Sequence, residues 1–259
     1  MKWAYGVTTV AERLTTYLPG TLQALEAGGF PEPHLFVDGL ASENGCVLDA
    51  WPTLSHTVRK GRVGVHGNWI LSFYELFLRN HDAERYVIFQ DDMTCARNLR
   101  GYLEAVAYPD GMDGNAPGYL NLLTFPSNQL LAPKDECGSG RGAVGFYPSN
   151  QLGKGAVALV FNRAAAVTLL SARTMVERSL DRTDALGSRR GTVNVDGGIV
   201  TAMNAAGYRE YVHNPSLVQH VGFRTTIPGH EGLPQAISFR GVNFDALTLL
   251  RTSSQEYAR

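Results

Sequence analysis

The chain has 259 residues, of which 44% are apolar and 18% charged, and this composition excludes a disordered polypeptide. Its 23 basic and 24 acidic side chains leave a net charge of -1, so no overall charge attracts it to nucleic acid or anionic membranes. Three cysteines without metal-ligand spacing favour reduced thiols. The N-terminus has no signal-peptide pattern, and no stretch reaches the roughly 18 to 20 apolar residues of a membrane span. We therefore expect a cytoplasmic protein without a membrane span.

Strand and helix patterns alternate through the first half of the chain. The predicted elements are a strand at 2–10, a helix at 18–30, a strand at 34–39, a helix at 67–80, a strand at 85–92 and a helix at 96–107. The strands are short apolar runs, which are typical of buried parallel strands in βαβ units.

The alternation continues less regularly in the second half. Strands are predicted at 119–125 and 143–147. They are followed by a Gly-rich turn, a strand and an Ala-rich helix at 153–172, by a polar turn and a helix at 194–207, and by a strand and a loop at 208–222. We predict a single α/β domain at 1–229 with a Rossmann-like, mostly parallel central sheet and flanking helices. Residues 1–110 form its nucleotide-binding half, 111–229 its acceptor half, and 230–259 a C-terminal extension.

Two adjacent carboxylates, Asp91 and Asp92, form the end of the predicted strand at 85–92. Ligands of open parallel sheets bind at the carboxyl ends of the strands. Mg²⁺ or Mn²⁺ is commonly held there by one or two carboxylates together with phosphate oxygens and water, so a diphosphate ligand would complement this pair. The alternative is that both residues simply end the strand and cap the following helix.

Four separated motifs resemble those of glycosyltransferases with the GT-A fold, and they occur in the same order. The motifs are "VTTVAERL", "FQDD", "GKGAVALVFNR", and "NVDGG" followed by "PSLVQHVG", and together they extend from Val7 to Gly222. Such enzymes use nucleotide-sugar donors and a metal held by a DxD or EDD motif. The resemblance therefore implies a GT-A-like fold and the transfer of a sugar to an acceptor hydroxyl. The expected donor is a UDP-sugar.

By this resemblance, Asp92 is the direct metal ligand and His220 a second ligand, for Mn²⁺ or Mg²⁺. A histidine ligand binds through a neutral ring nitrogen, although a loop histidine held by hydrogen bonds is an equal alternative. Gln90 departs from the EDD pattern, which has Glu at this position, and so leaves fewer acidic ligands.

The same resemblance implies a set of residues that line the donor. They are Thr8, Thr9, Arg13, Asp38, Asn68, Gln90, Asp91, Gly153, Lys154 and Gly155. The two glycines would let the backbone approach the donor closely. For several members the residues alone also allow a structural role: a turn residue for Asp38, a surface charge for Arg13 and an ordinary turn for the glycines.

Asp196, in "VDGG", is the predicted catalytic base. In an inverting transfer a carboxylate takes the proton of the acceptor hydroxyl as its oxygen attacks the anomeric carbon. The resemblance assigns the base to Asp196 and for this reason favours inversion, while a retaining transfer, which would not need a base at this place, stays open. The alternative role for Asp196 is a helix N-cap.

Two other classes of protein are compatible with these residues. A nucleotidyltransferase would combine a similar nucleotide-binding half with metal carboxylates, but no phosphate signature such as GxGxxG follows the first strand. A non-catalytic binder of nucleotide-sugars or glycans is the third class. The expected acceptor is a glycan, a protein or a hydroxylated DNA base, as in bacterial or phage modification reactions. A DNA base would have to be flipped out of the duplex, and the protein would need a local basic face to bind the DNA. Only the clusters at 59–62 and 189–190 could form such a face.

Overall fold

The computed structural model describes residues 1–40, 51–112, 114–134, 143–175, 195–221 and 235–251. The strands in these segments are β1 Trp3–Val10, β2 His34–Asp38, β3 His56–Arg59, β4 Arg85–Gln90, β5 Met93–Cys95, β6 Gly118–Asn121, β7 Gly145–Pro148, β8 Ala158–Asn162, β9 Arg209–Asn214 and β10 Val218–His220. The helices are α1 Leu18–Ala27, α2 Gly64–Arg79, α3 Leu99–Ala105, α4 Pro126–Gln129, α5 Arg163–Leu170 and α6 Val195–Ala205, and a 3-10 turn spans Ala11–Arg13.

Eight strands form the central sheet in the order β3-β2-β1-β4-β8-β6-β9-β7. The strands β3, β2, β1 and β4 are parallel neighbours. β8 runs antiparallel between β4 and β6, β9 is parallel to β6, and β7 is an antiparallel edge strand. Six of the eight strands therefore point the same way. The predicted α/β class, with a mostly parallel central sheet and flanking helices, is confirmed.

Both faces of the sheet are covered, and this explains why its strands are apolar throughout. Alternate residues of β4 point to opposite faces. Val87 and Phe89 pack into the core beneath α1 and α3, whereas Ile88 packs into the core beneath α2 and α6 with Phe73 and Ile199. None of the described helices combines the length and the apolar composition needed to cross a bilayer.

The segment after Asp92 differs from its prediction. The chain does not enter a helix directly but forms β5, which pairs antiparallel with β10. α3 begins only at Leu99, with Asn98 as its N-cap residue. The interpretation of Asp91 and Asp92 as caps of the following helix is therefore wrong, because β5, a short strand paired with the distant residues 218–220, separates the two aspartates from α3.

Three other local predictions need correction. The basic stretch at 58–62 is predicted to be a solvated loop, but its first two residues, Val58 and Arg59, belong to the edge strand β3 and pair with β2. The predicted loop after β9 contains β10. The polar turn before the helix at 195–205 is already helical, so Asp196 lies within the first turn of α6. In each case pairing or packing with distant residues decides the local conformation.

The described residues beyond 234 pack on the same core as β1. Ala236, Ala246 and Leu249 are buried in it, and Asn98 Nδ2 donates to Asp245 Oδ2 at 3.0 Å. The predicted boundary at residue 229 lies outside the described residues. It stays a prediction, as does the division into halves near residue 110.

Candidate active site

Asp91 and Asp92 follow the carboxyl end of β4, next to the end of β1, where Thr8 is the register partner of Gln90. Both aspartates are buried. Thr21 of α1 donates its hydroxyl to the backbone carbonyls of Asp91, at 2.6 Å, and Met93, at 2.9 Å. This contact holds the turn from β4 to β5 at the sheet edge where ligands of parallel sheets bind.

The carboxylate of Asp91 is fully engaged inside the chain. Its Oδ2 accepts from Thr9 Oγ1 at 2.6 Å and its Oδ1 from Arg13 Nη1 at 2.9 Å. Burial and the neighbouring Asp92 raise the pKa of Asp91 to about 6, although Thr9 and Arg13 oppose the shift. The structure therefore brings Thr9, Arg13 and Asp91 together in one cluster.

Arg13 is a nearly buried cation between the two aspartates. The same Nη1 lies 2.6 Å from Asp92 Oδ2, and the side chain is 13% exposed. Burial lowers the pKa of Arg13, but the charges of Asp92 and Asp91 outweigh it, so the net pKa is raised. The guanidinium thus neutralises one of the two adjacent negative charges.

The other oxygen of Asp92 faces His220. Asp92 Oδ1 has no hydrogen-bond partner within the described residues and lies 3.6 Å from His220 Nε2. The ribbon of β5 and β10 creates this proximity, because His220 is paired with Met93 and Val221 N donates to Asp92 O at 2.9 Å. Burial lowers the pKa of His220 despite the opposing charge of Asp92, so its imidazole is neutral at pH 7.

These two residues fit a divalent cation. Adjacent ligand atoms around an octahedral Mg²⁺ lie about 3 Å apart, given metal–oxygen distances of about 2.1 Å, and the 3.6 Å gap is close to that spacing. A neutral imidazole and an unpaired carboxylate oxygen are suitable ligands. The described residues contain no cluster of three such side chains. Phosphate oxygens and water would have to complete the coordination shell.

The carboxylate of Asp196 contacts the glycine-containing loop at 153–155. Its Oδ2 accepts from Gly155 N at 2.6 Å. Burial of the carboxyl raises its pKa, while the amides of Ala156 and Gly155 and the nearby His220 oppose the shift. The charge of His220 acts on Asp196, and that of Asp92 acts on His220.

The loop at 153–155 needs glycine at both ends. Gly153 and Gly155 have φ angles of +61° and +78°, which favour glycine. A Cβ at Gly153 would lie 2.4 Å from the carbonyl oxygen of Asp196, and one at Gly155 would lie 2.7 Å from Leu123 Cδ2. Lys154 Nζ lies 4.9 Å from the ring centre of Phe125. The loop is therefore packed directly against the predicted base.

Two residues of this region were not among the sequence candidates. Asn121 of β6 donates through Nδ2 to Lys154 O at 3.0 Å and to Glu210 Oε1 at 3.1 Å. Burial, followed by the charge of Asp196, raises the pKa of Glu210 to about 7 despite its polar neighbours. Glu210 is the second residue of β9, "REYVHN", directly after Arg209, so the sequence alone gives no signal that its side chain is buried.

Asp38 and Asn68 have structural partners away from this cluster. Asp38 accepts the amides of Val63 and Gly64, at 2.9 and 3.0 Å, at the start of α2. Asn68 donates to Phe36 O at 3.1 Å and accepts from Arg59 Nε at 2.8 Å. Contacts of these two residues with a nucleotide, like those of Thr8 and Gln90, stay predictions.

No protein-family model matches the chain, and no curated protein matches its sequence. Among solved structures, the chain is similar to TarS of S. aureus (12% identity, TM-score 0.47, covering 82% of this chain and 36% of that one). It is also similar to the mannosyltransferase PcManGT from Pyrobaculum calidifontis in complex with GDP-Man and Mn²⁺ (14%, 0.46, 81% and 53%). A third is a cytidylyltransferase from Leptospira borgpetersenii (10%, 0.46, 100% and 96%). Likenesses at this level do not define an activity for the chain.

Proposed function

We propose that the protein is a glycosyltransferase that moves a sugar from a nucleotide-sugar, a UDP-sugar by expectation, to an acceptor hydroxyl with inversion. The observation that carries the proposal is the pair formed by Asp92 Oδ1 and His220 Nε2, 3.6 Å apart at the carboxyl end of a parallel strand. One atom is an unpaired carboxylate oxygen and the other belongs to a neutral imidazole. This pair supports a cation site with Asp196 close by.

Charge balance in the cluster suits a diphosphate. Asp91 and Asp92 together contribute two negative charges when ionised, and Arg13 returns one positive charge through contacts of 2.9 and 2.6 Å. A divalent cation held by Asp92 and His220 would stabilise the negative charge of the leaving diphosphate. With that ion included, the cluster is net positive and complements the diphosphate of a donor.

The aspartates would have unequal roles. Both oxygens of Asp91 are occupied by Thr9 and Arg13, so Asp91 orients Arg13. Asp92 uses Oδ2 for Arg13 and keeps Oδ1 for a ligand. Because Arg13 occupies Oδ2, Asp92 would bind the cation through Oδ1 alone. Phosphate oxygens and water would supply other ligands.

Asp196 would be the base of the transfer. Its carboxylate takes the proton of the acceptor hydroxyl while that oxygen forms the new bond to the anomeric carbon. The bond between this carbon and the diphosphate oxygen breaks, and its electron pair leaves with the nucleoside diphosphate. Asp196 Oδ2 accepts from Gly155 N at 2.6 Å, and the amide of Ala156 also stabilises the ionised carboxylate that a base requires.

A thermal-shift panel of nucleotides and nucleotide-sugars, each with and without Mn²⁺, tests donor binding. Metal-dependent stabilisation by UDP or a UDP-sugar is the expected result. No stabilisation by any nucleotide would refute the proposal.

Product analysis by ³¹P NMR tests the reaction itself. Glycosyl transfer, or slow donor hydrolysis, releases a nucleoside diphosphate, whereas nucleotidyl transfer releases pyrophosphate. Asp196→Asn is expected to abolish diphosphate release, and Asp82→Asn at an exposed surface pair with Lys2 is the matched control. Binding without any turnover on glycan, protein and hydroxymethylated DNA acceptors would instead indicate a non-catalytic binder.

A further inference from the structure

One peptide group, which joins Lys154 to Gly155, contacts Asp196 and a buried polar pair at the same time. Its N–H donates to Asp196 Oδ2 at 2.6 Å, and its carbonyl oxygen accepts from Asn121 Nδ2 at 3.0 Å. The N–H and C=O of a trans peptide are rigidly coupled in one plane. The contact at Asn121 therefore sets the direction of the N–H that reaches Asp196.

Glu210 determines which way the Asn121 amide faces. Asn121 Nδ2 also donates to Glu210 Oε1 at 3.1 Å, and Asn121 Oδ1 accepts from Leu123 N at 3.1 Å. A flipped amide would place its oxygen against two acceptors and its nitrogen against a donor. Because Asn121 is fully buried, no solvent contact would offset that loss.

The same glutamate anchors the beginning of the loop through its backbone. Gln151 Nε2 donates to Glu210 O at 2.8 Å, and Glu210 N donates to Gln151 Oε1 at 3.0 Å. The side-chain amide of Gln151 thus extends the pairing of β7 with β9, in which Ser149 N also donates to Glu210 O at 2.9 Å. The loop from 151 to 155 is held at both ends by contacts that meet on Glu210.

Local backbone sterics do not hold the peptide plane. Glycine moves readily between positive and negative φ, and the loop contains glycine at 153 and 155 with φ angles of +61° and +78°. Without the contact at Lys154 O, rotation of the 154–155 peptide would turn its N–H away from Asp196. The orientation therefore depends on hydrogen bonds: Asn121 Nδ2 donates to Lys154 O at 3.0 Å, and Val157 N donates to Gly155 O at 2.7 Å.

We propose that Asn121, oriented by Glu210, is a positioning residue that holds the Lys154–Gly155 peptide so that its N–H donates to Asp196. The functional meaning rests on the proposed role of Asp196 as base. A hydrogen bond to an ionised carboxylate favours the charged form and fixes the direction of its oxygens. The groups that act electrostatically around Asp196 are His220 on β10, Glu210 on β9 and Tyr119 on β6.

The test measures the titration midpoint of Asp196 by ¹³C NMR of carboxyl-labelled aspartate, with the resonance assigned from Asp196→Asn. Asn121→Ser removes the donor to Lys154 O without adding charge, and it is expected to raise the midpoint by about one pH unit, because a charge-assisted hydrogen bond is lost. Asn128→Ser is the matched control, since Asn128 is also fully buried and holds the same loop through Asn150 N at 2.8 Å.

Glu210→Gln gives a contrast, because it is not expected to raise the Asp196 midpoint. It keeps an oxygen acceptor for Asn121 but removes a negative charge, so the Asp196 midpoint is expected to fall or to stay unchanged. If Asn121→Ser does not fold, Asn121→Thr carries the same expectation at a strand position that favours threonine. An unchanged midpoint in the folded variant, or an equal shift in Asn128→Ser, would overturn the proposal.

The pH profile of donor turnover connects this contact to the reaction. In Asn121→Ser the acid limb of kcat is expected to move upward together with the NMR midpoint. A shifted midpoint with no sugar transfer by the wild-type protein would contradict the proposed function but not the positioning contact. If the wild-type protein transfers sugar but the Asp196 midpoint in Asn121→Ser equals that of the wild type, only the positioning contact would be contradicted.

Discussion

Gly153 lies directly against the backbone of Asp196, so closely that a Cβ at position 153 would be 2.4 Å from the carbonyl oxygen of Asp196. The φ angle of Gly153 is also positive, at +61°. We expect Gly153→Ala to lower the free energy of unfolding by about 2 to 4 kcal/mol, because both the clash and the strained φ must be accommodated. Urea denaturation measures the change.

Gly20→Ala is the matched control for that variant. Gly20 lies in α1, and a Cβ there would meet nothing within 4 Å. The same substitution is expected to stabilise the protein by up to about 1 kcal/mol, because alanine is the better helix former. Similar effects at the two glycines would mean that the contact between the loop and Asp196 is not tight in solution.

Asp92→Asn is expected to weaken Mn²⁺ binding at least about tenfold, since even the loss of an outer-sphere partner commonly costs that much. The reason is that Asp92 Oδ1 and His220 Nε2, 3.6 Å apart, would provide the protein ligands. Electron paramagnetic resonance of free Mn²⁺, in the presence of UDP, measures the affinity without requiring turnover. Asp82→Asn, at an exposed position, should have no effect, and wild-type affinity in Asp92→Asn would contradict the assignment.

The difference in the free energy of unfolding between Glu210→Gln and the wild-type protein should increase in favour of the variant as pH rises. The pKa of Glu210 rises from 4.5 to about 7 on folding, so the folded state binds more protons between these values. The contribution of Glu210 to the free energy of unfolding is therefore present below pH 4.5 and lost as pH rises to about 7. Relative to wild type, Glu210→Gln is expected to gain about 3 kcal/mol in the free energy of unfolding between pH 4.5 and 8.

The difference between variant and wild type must be measured, because other groups titrate in the opposite sense. Burial lowers the pKa of His213 to about 4, so its contribution to stability increases as pH rises toward 6.5. This term is common to both proteins and cancels in the difference. A pH-independent difference from chemical denaturation would show that Glu210 does not titrate in this range.

Asp38→Asn separates a structural role from nucleotide binding. Both oxygens of Asp38 accept backbone amides at the start of α2, at 2.9 and 3.0 Å. An asparagine retains only one acceptor, so a loss of about 0.5 to 2 kcal/mol in the free energy of unfolding is expected. If UDP affinity by calorimetry is unchanged in the folded variant, the predicted nucleotide contact of Asp38 is wrong.

Much of the first half of the fold could be predicted because its signals are local. The strand at β4 is a short apolar run, and α1 is bounded by Pro19 and Gly28. These patterns need no distant partner to be recognised. β5 and β10 were missed because each has only three residues, and their pairing joins positions 95 and 218.

The candidate site divides in the same way. The sequence by itself determined that two carboxylates end a buried strand, that glycines flank Lys154, and that an aspartate precedes a glycine pair at 197–198. Only the tertiary structure decided that Arg13 takes Asp92 Oδ2, that His220 faces Oδ1, and that Asn121 and Glu210 lie beneath the glycine loop. The physical reason is that charge pairing and burial depend on which strands become neighbours in the sheet, and the order β4-β8-β6-β9 is set by packing across the whole core rather than by any local pattern.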